Sequence, residues 1–325
     1  MVEETRQILS IQSHVVHGYV GNKAATFPLQ YRGWNVDALN TVQFSNHPGY
    51  GSFTGFREDE ENLYKIIESG LVNGLGIKYN AILTGYLPSV DSLQGISRLV
   101  NDLCLQKQIP WILDPVLGDN GKLYVDMECV TMYKKILSTC QVYLTVPNQF
   151  EMETLTGMKI TNMNTLKQSF QKFHQLYPGV QRVIVSSIDF PTNLKQKPNC
   201  NTYTVAFTEF SNFDNFQYFT VDKIEAHFNG SGDLFSALLV DMLFPTSDRE
   251  VSVSLAVAVG KALDLTHQIL NKTYRLTVKL SGAQSGTHPH PPSVPHIKDL
   301  KLIQSAELLR VRTEDIDIRY PLSQV

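Results

Sequence analysis

The sequence predicts an α/β protein with a mostly parallel sheet and helices on both of its faces. Three observations predict it. Short apolar runs rich in branched residues alternate with longer runs of helical period, and the links between them are short. Polar or glycine-bearing stretches recur just after successive strands, where open parallel sheets hold ligands. A glycine turn, Asn229-Gly230-Ser231-Gly232-Asp233, opens directly into an apolar helix, and the free N–H groups and dipole of such a start favour an anion.

Taken in order, residues 8–12 form a strand that ends at Ser13-His14. The loop Gly18-Tyr19-Val20-Gly21-Asn22 leads into a helix near 23–31 that Gly33 stops, and residues 34–44 alternate as a second strand. Ser45-Asn46-His47-Pro48-Gly49-Tyr50-Gly51 follows as a polar loop. Residues 58–69 read as a surface helix with Leu63, Ile66 and Ile67 inward. Residues 79–84 are a strand closing at Gly85-Tyr86, 89–107 a helix, and 111–114 a strand broken by Pro115. Residues 127–137 are helical and 141–146 a strand broken by Pro147, with Asn148 the cap of the next helix. Helix 163–177 and strand 180–186, ending at Ser186-Ser187, complete the alternation. Residues 189–197 are expected to be exposed, and 202–210 with 216–221 to form an antiparallel edge pair. A helix then starts at Gly232 or Asp233, and 248–271 forms one long helix. Residues 286–295 are a proline-rich spacer whose histidines have no further metal ligands nearby in sequence, and 303–311 is a short apolar segment that docks on the body. Short links throughout favour one domain over 1–325.

Composition narrows the classes of function. Apolar residues are 42% and charged residues 18% of the 325, ordinary for a soluble globular chain. A net charge of -3 provides no basic field for nucleic acid or an anionic membrane surface. No apolar run is long enough to span a bilayer, and the acidic N-terminal stretch lacks the apolar centre of a secretory leader. Cys104, Cys129, Cys140 and Cys200 are scattered without metal or redox spacing, so a reduced, cytoplasmic setting is expected.

The chemistry gathers at strand ends. An aspartate at a helix start ordinarily caps it; Asp233 could instead act on a hydroxyl beside a bound phosphate, and the motif alone leaves both open. Asp114 sits at the tip of an apolar strand, Asp119 closes the segment after it, and Glu151 lies one turn behind Asn148. Carboxylates so placed suit a hard divalent cation held partly through water, the arrangement of phosphoryl transfer. Neither a Walker loop nor the protein-kinase set occurs, and Gly18 to Gly21 lacks dinucleotide spacing.

Asn229-Gly230-Ser231-Gly232-Asp233 with the helix behind it resembles the signature of the ribokinase-like superfamily. Ile11-Gln12-Ser13-His14, Gly18 to Asn22, Val42-Gln43-Phe44-Ser45-Asn46-His47, Thr84-Gly85-Tyr86, Asp114 to Asp119 and Pro147 to Glu151 resemble, in order, the pyridoxal kinases, over about residues 7–270. The resemblance implies a ribokinase-like three-layer α/β/α sandwich with a mostly parallel sheet and antiparallel edge strands. It implies transfer of the ATP γ-phosphate to the 5′-hydroxymethyl group of pyridoxal, pyridoxine or pyridoxamine, in a cytoplasmic homodimer; a nuclear location stays open. On that resemblance Asp233 is the base, and Gly230, Ser231 and Gly232 form the anion hole. Ser13, Val20, Val42, Phe44, Pro48, Tyr86 and Tyr124 face the substrate. Asp114, Asn148, Glu151, Ser186 and Ser187 join Gly230 and Gly232 at the nucleotide, and Asp114, Asp119 and Glu151 lie about Mg²⁺, with a monovalent cation such as K⁺ also implied. Three departures bear on vitamer preference, monovalent-cation dependence and turnover: Pro48 and Val146 stand where family members commonly carry threonine, and the loop from Asp119 to Tyr124 is shorter than in animal relatives. The alternatives are a hydroxymethylpyrimidine-type kinase and a low-turnover binding homologue.

Overall fold

The computed structural model describes residues 5–190, 201–210, 215–246, 253–282 and 294–325. Their contacts fall into two compact units, residues 1–56 with 224–319, and residues 57–223 with 320–325.

The first unit begins with β1 (Arg6–Val15), in which Ile8, Leu9 and Ile11 are fully buried. It pairs in parallel with β2 (Trp34–Phe44). A parallel pair needs a crossover, and α1 (Asn22–Tyr31) supplies it, burying Ala24, Ala25 and Leu29. The register shifts between Gln12 and His14, a bulge at Ser13, and pairing resumes to Val15, past the expected strand end at Ser13-His14. After a single helical turn at Pro48–Tyr50 the chain reaches the short exposed strand β3 (Gly55–Arg57).

The second unit opens with α2 (Glu60–Lys65), capped by Asp59, whose side chain accepts from Asn62 N. The expected helix 58–69 does not run on evenly. At Ile66–Gly74 it widens into a π-helical stretch, which turns the inner face, so Leu63 and Ile67 are buried while Ile66 is exposed. There follow β4 (Ala81–Thr84), α3 (Val90–Lys107) behind its Ser89 cap, and β5 (Trp111–Leu113). Next come the hairpin β6 (Gly118–Asp119) and β7 (Lys122–Leu123), then α4 (Met127–Thr139), β8 (Leu144–Thr145), α5 (Gln149–Thr156) and α6 (Met163–Leu176). β9 (Arg182–Ile188), β10 (Thr202–Glu209) and β11 (Gln217–Asp222) end this passage. β4, β5, β8 and β9 are parallel in that order, and β10 and β11 extend the sheet antiparallel, as expected. Asp114 and Asn148 thus follow the carboxyl ends of β5 and β8, whereas Ser186 lies inside β9, which runs two residues past the expected end at Ser186.

The chain then re-enters the first unit through β12 (His227–Phe228) and α7 (Ser231–Leu243). The long α8 (Leu255–Gly282), β13 (His296–Ile297) and α9 (Ala306–Leu309) follow, and β14 (Leu322–Gln324) pairs with β11 in the second unit. α7 starts at Ser231, ahead of the expected Gly232 or Asp233, because Gly230 takes the non-helical cap position with φ of 78°. α8 is described from Leu255 and runs past the expected end at Asn271; Asp248, like residues 191–197 and 286–293, lies outside the described residues. In the expected 303–311 segment Leu309 is buried, as is Leu302 just ahead of it, while Ile303 and Val311 at its two ends are exposed.

Every residue of α7 from Leu234 to Leu243 is buried, Asp241 included. Asp241 accepts from Arg6 Nη1 and Trp34 Nε1, each at 2.9 Å, and from Arg32 Nε. This carboxylate ties the far end of α7 to β1, β2 and the end of α1, and so fixes the helix whose first turn carries Asp233.

Candidate active site

The first unit holds the proposed base. Gly230 at φ 78° ends β12, and Asp233 enters in the first turn of α7. No side chain caps the helix, and Asp233 does not cap it either: its Oδ2 accepts the Gly21 N–H at 2.8 Å. Gly21 takes φ of 53°, and a Cβ there would overlap Ser13 O and Oγ, so Ser13 packs directly on the residue that holds Asp233. Burial raises the Asp233 pKa above the ordinary aspartate range, and the Gly21 N–H opposes that shift. The positive end of α7 favours the charged carboxylate; desolvation pulls the other way.

The two glycines of the turn differ. A Cβ on Gly230 would overlap the Tyr19 carbonyl and crowd Val20, whereas a Cβ on Gly232 would meet nothing within 4 Å. Gly230→Ala is therefore expected to lower the melting temperature, the strain of a non-glycine residue at positive φ together with the overlap costing on the order of 1–3 kcal/mol. Gly232→Ala, inside α7 with open space around its Cβ, should hold or raise the melting temperature while cutting turnover, if a methyl there meets the transferring phosphate. Thermal melts beside steady-state kinetics separate the two effects.

Around this centre, Val20, Val42 and Phe44 are buried, and the Phe44 ring lies 4.7 Å from Phe53. Pro48 is exposed at the start of its turn, and the N–H of Gly49 is taken by His47 Nδ1 at 3.1 Å. Burial and the neighbouring His296 push the His47 pKa down, against a smaller upward pull from Asp299.

The second unit holds an acidic cluster. Asn148 caps α5 through Oδ1 to Glu151 N at 2.9 Å, and its Nδ2 donates to Gly118 O at 2.8 Å. Glu151 Oε2 accepts from Asn148 N at 2.8 Å, the reciprocal half of a capping box. Glu151 Oε1 accepts from Leu117 N and Gly118 N at 2.9 and 3.3 Å. Glu151 is 4% and Asp114 9% exposed, so both charges lie out of bulk water. Burial, then repulsion from Asp114, raises the Glu151 pKa well above the carboxylate range. The Tyr133 hydroxyl beside them is buried without a partner among the described residues.

Asp119 stands apart from that pair. It is exposed, and its carboxylate accepts from Asn120 N and Nδ2 at 2.7 and 3.0 Å, within the hairpin turn. No group of three or more His, Cys, Asp or Glu converges on one point among the described residues. The structure therefore brings Asp114 and Glu151 together and leaves Asp119 at the surface, with Tyr124 60% exposed at the end of the same hairpin. Two buried carboxylates that repel one another still fit a Mg²⁺ held by one or two protein ligands and completed by water and phosphate oxygens.

Ser186, inside β9, bridges in parallel to Asn148 beyond the end of β8. Ser187 takes φ of 55°, left-handed for a non-glycine residue, where the β9–β10 register shifts. Tyr86 is half-buried and hydrogen-bonds Arg57, a residue that sequence reasoning did not single out. Neither the Gly21 contact to Asp233 nor the β6–β7 hairpin is among the features expected from the sequence. For the hairpin a signal exists: Asn120-Gly121, both at positive φ, is the pair favoured in tight hairpin turns.

Comparison with known proteins identifies the family. The family model described as phosphomethylpyrimidine kinase matches residues 60–280. BUD17 of Saccharomyces cerevisiae, itself provisionally named a pyridoxal kinase, is 50% identical over 308 residues, 94% of this chain and 93% of that protein. The pyridoxal kinase of Arabidopsis thaliana is 35% identical, covering 94% of this chain and 92% of its own length. Among solved structures, pyridoxal kinase from Leishmania donovani in complex with ADP and pyridoxine superposes with a TM-score of 0.74 at 29% identity, over 98% of this chain and 99% of that one. The parallel strands with antiparallel edge strands agree with the ribokinase-like α/β fold. The chain belongs to the pyridoxal kinase family of ribokinase-like proteins.

Proposed function

We propose that this chain transfers the γ-phosphate of ATP to the 5′-hydroxymethyl group of pyridoxal, and of pyridoxine and pyridoxamine, in vitamin B6 salvage. The observation that carries the reading is Asp233, held by the Gly21 N–H in the first turn of α7 behind a glycine turn, in a chain of this family. A primary alcohol holds its proton too tightly for a carboxylate to remove it outright. Asp233 therefore orients the hydroxyl and accepts its proton late in the transfer. Its half-buried position suits that task, because desolvation raises its pKa and makes it a better acceptor. Backbone N–H groups from Gly230 to Gly232 meet the transferring phosphate at the positive end of α7.

Ser13, Val20, Val42, Phe44, Pro48, Tyr86 and Tyr124 are assigned to the vitamer. Asn148, Ser186 and Ser187, with Asp114, Glu151, Gly230 and Gly232, are assigned to the nucleotide. Asp114 and Glu151 are the residues that would hold Mg²⁺, which when bound neutralises charge on the phosphates; Asp119 reaches it at most through water. Glu151 also positions the 117–118 backbone and Asn148 through its own hydrogen bonds. A monovalent cation such as K⁺, a homodimeric state and a cytoplasmic location belong to the same reading.

Asp114→Asn should leave the fold intact and raise the Mg²⁺ concentration needed for half-maximal turnover. A metal titration that superposes on the wild type would remove Asp114 from this role. Specificity is tested by offering pyridoxal and hydroxymethylpyrimidine together with Mg·ATP. Pyridoxal 5′-phosphate should appear first and in excess; phosphorylation of the pyrimidine alone would favour the rival reading.

A further inference from the structure

Residues 295–299 form a strap that lies beyond the 60–280 matched by the family model. β13 runs parallel to β12, pairing His227 with His296 and Phe228 with Ile297. His227 N donates to Pro295 O at 3.0 Å and Asn229 N to Ile297 O at 3.2 Å. The backbone just ahead of Gly230 is therefore held by this strap. Two side chains extend the grip. His296 Nε2 lies 2.9 Å from Asn229 Oδ1. Asp299 Oδ2 accepts from the Tyr50 hydroxyl and lies 3.6 Å from His17 Nε2, while Lys298 Nζ stands 4.5 Å from the centre of the Tyr50 ring.

Asp299 Oδ1 is buried with no hydrogen-bond partner among the described residues. It lies against Gly18, where a Cβ would overlap it. Asn229 Nδ2 is likewise buried and without a partner, on the side of Gly49. Unpaired buried polar atoms cost stability, and a carboxylate oxygen costs more than most. Such atoms are held where the surrounding contacts fix them. Here those contacts reach three loops: the one with His17, Gly18 and Gly21, the one with Pro48 and Tyr50, and the turn at Asn229-Gly230. The first carries the N–H that holds Asp233.

We propose that Asp299 and His296 are positioning residues for the reaction. They lock the 17–21 loop, the 46–51 loop and the Asn229-Gly230 turn in one register, so that Asp233 and the backbone donors are aligned before the vitamer arrives. The proposal rests on the function stated above for its kinetic readout, and on the strap contacts alone for its structural one.

The test compares wild type with Asp299→Ala, Asp299→Asn, Tyr50→Phe, the Tyr50→Phe/Asp299→Ala double variant and His296→Ala. Asp299→Ala should lower kcat/KM for pyridoxal by ~10-fold while KM for ATP stays within about twofold, as expected for misplacement at one substrate only. The double variant should be no worse than Asp299→Ala, because both delete the same contact. Asp299→Asn, which keeps an acceptor for Tyr50, should recover most of the loss. Amide exchange should quicken at 46–51 and 227–230 in Asp299→Ala and His296→Ala but stay unchanged in α8. Unchanged vitamer kinetics, additive losses in the double variant, or KM values rising together for both substrates would overturn the proposal. Should Asp299→Ala not fold, Asp299→Asn and Tyr50→Phe carry the same comparison. If wild type proves inactive on pyridoxal, the functional reading fails, and unaltered loop exchange in the variants would separately overturn the strap.

Discussion

Asp233→Ala is expected to lower kcat by at least ~10²-fold, the scale of a lost general base, with ATP binding largely kept. Asp233→Asn sharpens the result, since an amide oxygen still accepts from Gly21 N but takes no proton. An equal loss in both variants assigns the effect to proton acceptance; full activity in Asp233→Asn would reduce Asp233 to a structural acceptor. The pH profile carries the same claim. Burial raises the Asp233 pKa, so the acid limb of kcat/KM should lie above the range of an ordinary aspartate, with activity falling as pH falls through it. For stability the sign is opposite. A carboxyl whose folded pKa is raised contributes most below its unfolded pKa, and that contribution is lost as pH rises through the folded value. Asp233→Asn should therefore melt no lower than wild type at neutral pH, and higher if the whole penalty is relieved.

The second large effect concerns the fold. Asp241→Ala removes the carboxylate that Arg6, Arg32 and Trp34 share. Asp241 is 1% exposed and the side chains of Arg6 and Arg32 are 13% and 5% exposed, so neither cation gains much water in return. Breaking a buried ion pair from one side costs roughly 3–5 kcal/mol, and two arginines lose their counter-charge here, keeping only neutral acceptors such as Phe244 O for Arg6 and Leu309 O, Val311 O and Thr313 Oγ1 for Arg32. Urea unfolding should show a loss of that size. A loss under about 1 kcal/mol would mean that the arginines find other partners and that α7 is anchored by its apolar face alone.

How much of this was legible follows from the range of each interaction. The order of parallel elements, the Asn148 cap with Glu151 behind it, and the glycine turn ahead of α7 are local patterns, and each lies where the sequence places it. The π-helical widening after Lys65 was not legible, because Ile66 and Ile67 both fit an inward position until the turn width is known. Long-range polar contacts leave no mark on periodicity. Gly21 and Asp233 are 212 positions apart, and Arg6 and Asp241 are 235 apart. Carboxylate chemistry shows the same limit. Asp114, Asp119 and Glu151 read alike as strand-end acids, yet burial couples Asp114 to Glu151, while the Asn120-Gly121 turn holds Asp119 in solvent.

The central claim is that the glycine turn and Asp233 are where the γ-phosphate meets the vitamer hydroxyl. A single-turnover experiment with γ-labelled ATP, Mg²⁺ and pyridoxal, run on wild type and on Asp233→Asn, tests it most directly. Label should pass to pyridoxal 5′-phosphate with the wild-type chain, and at least ~10²-fold more slowly with the variant. Label that stays in ATP or passes only to water with wild type, or transfer at the wild-type rate by Asp233→Asn, would contradict it.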